Sequence, residues 1–137
     1  MHAPAYELAH RTAATAGPFA ANLAFDCSQI AMAMRQGDVG SALAAFEATA
    51  DRLQRFMTFV VVSSELVGHA SPALGAVVAD YGRRVLELLG RIEGALDRRD
   101  LVGLTLTLEH GLAPALDQYR GYADEVTRAL GPAYMAA

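Results

Sequence analysis

"RFMTFVVVSSEL", residues 55–66, decides the fold. Three valines stand in a row behind Phe56, Met57 and Phe59. Locally, the run suits a β-strand, since β-branched and aromatic residues favour the pleated sheet. It is too short and too polar for a membrane span, which needs about 18 or more apolar residues; Thr58, Ser63, Ser64 and Glu65 interrupt it. Its surroundings favour a helix. Leu43, Phe46, Ala50, Leu53, Met57, Val60, Ser64 and Val67 recur at helical spacing through and beyond it. No second strand candidate exists to pair with it.

Working outward, the chain divides into four helical segments. "AGP" at 16–18 interrupts the first, so a short helix or a kink near Gly17-Pro18 is expected, followed by a longer stretch with Phe19, Leu23, Cys27, Ile30 and Met34 in phase. "QGD" at 36–38 reads as a stop and a start, with Gly37 closing one helix and Asp38 capping the next. "GHASP" at 68–72 ends the second segment, with Gly68 as the stop, Ser71 as N-cap and Pro72 in the following first turn. The third has the cleanest stripe: Leu74, Val78, Tyr81, Val85, Leu88, Leu89, Ile92 and Leu96, with Asp80, Arg83, Arg84, Glu87 and Arg91 as a solvated face. Asp100 caps the fourth, in which Pro114 predicts a bend near 109–114.

The two halves are alike. "IAMAMRQGDVGSALAAFEATADRLQRFM" (30–57) lies over "IEGALDRRDLVGLTLTLEHGLAPALDQY" (92–119) with Ile30 on Ile92, Ala33 on Ala95, Asp38 on Asp100 and Glu47 on Glu109. A doubled helical hairpin or shared helical grammar would both give this. The expected fold is all-α: one domain, an antiparallel up-down four-helix bundle of two similar hairpins, with its first helix broken. Gly90, Gly94, Gly103, Gly111 and Gly121 cost helical stability and are read as a tight contact between the third and fourth helices, or as a grooved surface that accepts another helix.

Composition narrows the function classes. The 137 residues carry a net charge of -4, with 53% hydrophobic and 19% charged residues. Charges are dispersed and no basic stripe exists, so a nucleic-acid partner is not expected. All 11 basic residues are Arg, a bias suggesting a GC-rich bacterial source. Cys27 is the only cysteine, and no zinc spacing accompanies it, which suits a reducing cytoplasm. The N-terminus lacks a signal-peptide pattern. No phosphate loop, dinucleotide fingerprint or nucleophile–base pattern is present, and no cofactor is expected.

Two candidate sites remain. Phe59, Val62 and Leu66 lie off the Leu53–Met57–Val60 stripe, and with Phe56 they form an expected interaction surface for a second copy of the chain or a partner helix. Glu47, Glu109 and His110 are the alternative, a metal- or small-ligand-binding set in the bundle, where burial would raise the carboxyl pKa values.

"LTLTLEHGLAPALDQY" (104–119), preceded by "LDRRDL", resembles a group of small bacterial four-helix proteins of flagellar-chaperone style. Leu108, Glu109, Leu112, Pro114 and Tyr119 fit that group's run of leucine, glutamate, proline and closing aromatic, whereas His110 and Gly111 depart from it. The resemblance implies a helical bundle that acts by binding another chain.

Overall fold

The computed structural model describes residues 3–136, with side chains from 9 to 130. Helices α1 (Ala3–Arg35), α2 (Val39–Ala70) and α3 (Pro72–Asp97) are three rods. The fourth rod is built in pieces: α4 (Leu101–Leu106), a π-helical turn (Thr107–Leu112), α5 (Ala113–Gln118) and α6 (Arg120–Ala136). No strand occurs among the described residues, so the valine run is helical. The all-α four-helix expectation holds.

The turns follow the sequence closely. Gly37, at φ 83°, closes α1. Its N–H donates to Met34 O at 3.1 Å, and that of Asp38 to Ala33 O at 3.0 Å. These two bonds satisfy carbonyls that the helix end would leave open. Asp38 occupies the N-cap of α2, but its side chain caps nothing. Ser71 accepts from Leu74 N at 3.3 Å and Asp100 from Gly103 N at 2.9 Å, so both of those caps form.

The expected break near Gly17-Pro18 is absent: α1 runs through Pro18. A mid-helix proline loses one hydrogen bond and crowds the preceding turn, at a cost of ~3 kcal/mol. Tertiary packing offsets it. Ala13, Ala16 and Ala20 are buried on both sides of the proline, while Pro18 itself faces solvent. Gly17 lies against α6, where an added Cβ would sit 3.4 Å from Ala123 Cβ.

Neighbouring rods meet along four seams, and α2 also touches the fourth rod across the centre. Asp26 pairs with Arg52 across α1 and α2. Val60 and Gly68 of α2 meet Gly82 and Gly75 of α3. Tyr81 and Leu88 of α3 meet Ala115 and Gly111 of the fourth rod. Gly17 and Arg35 of α1 meet Ala123 and Glu109. Along each of the last three seams, residue numbers rise on one rod as they fall on the other.

Glycine placement departs from expectation. Gly90 and Gly121 face open space, Gly94 and Gly103 meet local side chains, and only Gly111 borders the opposing helix, at Leu88. Among the glycines, the closest backbone approach is between α2 and α3. A Cβ on Gly75 would stand 2.5 Å from Gly68 Cα, a separation real atoms do not tolerate. Gly68 is therefore a packing residue inside α2, which continues to Ala70.

At the centre, the Tyr119 ring takes Phe56 edge-on at 5.2 Å and Phe59 at 6.3 Å, with Tyr81 tilted at 5.8 Å. Such aromatic pairs add about 0.5–1.5 kcal/mol each beyond their burial. Tyr81 donates its hydroxyl to Ala115 O at 2.6 Å, whereas the buried Tyr119 hydroxyl has no hydrogen-bond partner.

Candidate functional site

The expected α2 surface is mostly absorbed by the bundle. Phe56 is 2% exposed and belongs to the core. Phe59 and Leu66 are half-buried and pack against that core, which leaves Val62 exposed, with Val61 beside it. Phe56 was misplaced because the buried face of α2 is turned from the stripe read in the sequence. It runs through Ala42, Thr49, Leu53, Phe56, Met57, Val60, Ser63 and Val67, keeping Leu53, Met57, Val60 and Val67 of that stripe. Two polar residues hide it. Ser63 is fully buried and returns its hydroxyl to Val60 O at 3.1 Å, which satisfies it locally.

Glu109 and His110 lie on the π turn. Pro114 has no N–H to give to the turn before it, and the helix there widens: Ala113 N–H donates to Leu108 O, five residues back. The irregularity thus falls where Pro114 predicts a bend. Glu109 receives a two-pronged ion pair from Arg35, Nε to Oε2 and Nη2 to Oε1, both at 2.8 Å. His110 Nε2 lies 3.1 Å from Glu109 Oε1. The Arg35 hydrogen bonds hold the Glu109 carboxyl below its ordinary range, the reverse of the rise expected from burial. Glu47 is exposed on α2 and shares none of these contacts. Among the described residues no three His, Cys, Asp or Glu side chains converge as metal ligands.

Other nucleophiles are muted. Burial, reinforced by the charge on Asp26, pushes the Cys27 thiol up to about 12, so its reactive thiolate is suppressed at neutral pH. Desolvation likewise raises Tyr81 and Tyr119 above the ordinary phenol value.

More of the exposed large apolar side chains stand on α1 and the fourth rod. Phe25 (63% exposed) and Met32 (50%) stand two turns apart on one face of α1. Val102 (71%), Leu106 (47%) and Leu101 (41%) are exposed on α4. Shallow grooves of about 210 and 380 Å³ lie on either side of the Arg35–Glu109 bridge, the first lined by Leu101, Val102 and Leu106, the second by Phe25. The sequence carried this signal: Phe25 and Met32 lie off the Leu23–Cys27–Ile30–Met34 stripe, as Val102 and Leu106 lie off Leu104–Leu108.

Comparison with protein-family models, with curated proteins and with solved structures found no match. No helix is long and apolar enough to cross a membrane among the described residues.

Proposed function

We propose that the protein is a non-enzymatic helical bundle that acts by association, and that a second copy of the chain covers the face formed by α1 and α4. The observation that carries this is the clustering there of five of the nine large apolar side chains exposed among the described residues. Contiguous exposed apolar surface is uncommon on monomers and marks association. The charges along the same seam favour self-pairing over a strongly charged partner. Arg35 and Arg120 are matched by Glu109 and Asp117. A two-fold interface must meet itself, so a face of balanced sign suits it. The resemblance of residues 104–119 to flagellar-chaperone-style bundles agrees with a role in binding.

Analytical ultracentrifugation tests the reading. The wild type is expected to sediment as a dimer, and Phe25→Arg with Val102→Asp as a monomer of unchanged helicity. A monomeric wild type overturns the second-copy reading. If Val61→Arg with Val62→Asp dissociates the dimer instead, the contact belongs to α2 and the α1–α4 assignment is wrong.

A further inference from the structure

On the other flank of the fourth rod, between α3 and the π turn, lies a groove of about 300 Å³. That is at the lower end of volumes that hold small ligands. Arg84 and Arg91 stand on its α3 wall, two helical turns apart. His110 and Gln118 stand opposite, and the Leu88 side chain gives the groove an apolar surface. Glu87 is the acid among the lining residues, so the two guanidinium groups leave the walls net positive.

The two arginines are prepared differently. Arg84 is pinned: its guanidinium carbon is 5.8 Å from the Tyr81 ring centre, and Nη2 is 3.4 Å from the Tyr122 hydroxyl. Its nearest carboxylate, Asp80, is 3.9 Å away and binds Arg83 more closely, at 2.7 Å. Its charge is thus positioned but only weakly compensated. Arg91 makes no ion pair among the described residues and is exposed. A planar guanidinium matches a carboxylate or phosphate with paired donors, and immobilising one beforehand lowers the entropic cost of binding.

We infer that this groove binds a small organic anion, with its carboxylate or phosphate held by Arg84 and Arg91 and its apolar body against Leu88. The site includes none of the five exposed apolar residues of the proposed dimer face and is argued independently of it. An amide NMR titration of the full chain tests it, with phenyl phosphate and benzoate as probes and benzyl alcohol as the uncharged counterpart. At least one of the two acids should shift resonances confined to residues 84–91 and 110–118. Arg91→Gln should weaken that binding roughly fivefold, the loss of one exposed charge-assisted contact. Arg55→Gln removes the same charge from exposed α2, outside the groove, and should leave binding nearly unchanged. Equal weakening by the two variants overturns the site in favour of a diffuse charge effect. So does benzyl alcohol binding as tightly as the acids, or the absence of any localised shift at millimolar probe.

Discussion

Helix α2 runs unbroken from Val39 to Ala70, whereas the rod in the same place of the second hairpin needs a π turn and a further joint at Tyr119 to cover its length. The two hairpins otherwise agree in detail. The loop bonds Gly37 N to Met34 O and Asp38 N to Ala33 O recur as Arg99 N to Leu96 O and Asp100 N to Ala95 O. Two details differ: Arg99 adopts the positive φ, 55°, that glycine supplies in the first loop, and the Asp100 side chain caps its helix whereas that of Asp38 does not. With Asp38 laid on Asp100, the buried Ala16, Ala20, Leu23, Ile30 and Ala42 fall on the buried Val78, Gly82, Val85, Ile92 and Leu104. Beyond the π turn the match shifts. Leu53, Phe56, Ser63 and Val67 coincide with Leu116, Tyr119, Val126 and Leu130 only if the second hairpin has gained one residue. The widened turn absorbs that residue and returns the downstream face to the core. The lesson is that the bundle fixes the phase of its buried face more firmly than the regularity of its hydrogen bonds.

Deletions probe this comparison most severely. Removing Ala48 from regular α2 turns everything after it by about 100° and takes Phe56, Val60 and Val67 off the core. The expected loss exceeds about 5 kcal/mol, enough to abolish a cooperative thermal transition in a domain of ordinary stability. Removing His110 from the π turn, together with Pro114→Ala to relieve the proline in the restored α-helical turn, should keep a sigmoidal transition with helicity intact. Circular dichroism melts decide. Equal damage from both deletions would show that the π turn is not a surplus residue.

A smaller contrast concerns the two central tyrosines, each in one of the rods of the second hairpin. Tyr81→Phe removes the hydrogen bond to Ala115 O and strands that carbonyl, so urea unfolding should show a loss of about 1 kcal/mol. Tyr119→Phe removes a buried hydroxyl that has no hydrogen-bond partner, and should be neutral or stabilising by up to ~1 kcal/mol. A larger loss at Tyr119 than at Tyr81 would reverse the assignment.

The smallest effect is that of Arg35, which ties the first hairpin to the π turn of the second. The Glu109 carboxyl is lowered in the folded protein. Its contribution to stability is therefore present above the unfolded carboxyl value of about 4.3, and is lost as pH falls through the lower folded value. Arg35→Gln should flatten this acid-side loss in a series of melts from pH 6 to about 3. An unchanged pH profile would mean that the bridge is too solvated to matter, as many exposed pairs are.

Much of this was legible beforehand because it is local. Ser71, Pro72, Gly37 and Asp100 act on backbone groups within a few residues of themselves, so their turns could be read directly. Pro114 likewise announced an irregular turn. Phe56 and Ser63 could not be read in that way. The buried face of α2 depends on which way the rod is rolled, and a buried serine satisfied by its own helix looks polar in the sequence. Glu109 misled for a similar reason: its partner, Arg35, is distant in the chain and near only in the folded bundle.

By itself the sequence determined that the chain makes four helical rods separated by turns near Gly37, Ser71 and Asp100, because apolar period and capping chemistry are properties of neighbouring residues. Only the tertiary structure decided that α1 passes through Pro18, that α2 and α3 touch at Gly68 and Gly75, and that the exposed apolar face belongs to α1 and α4. Those outcomes depend on which surfaces the rods hide from water against one another, and a helix carries no record of its neighbours in its own periodicity.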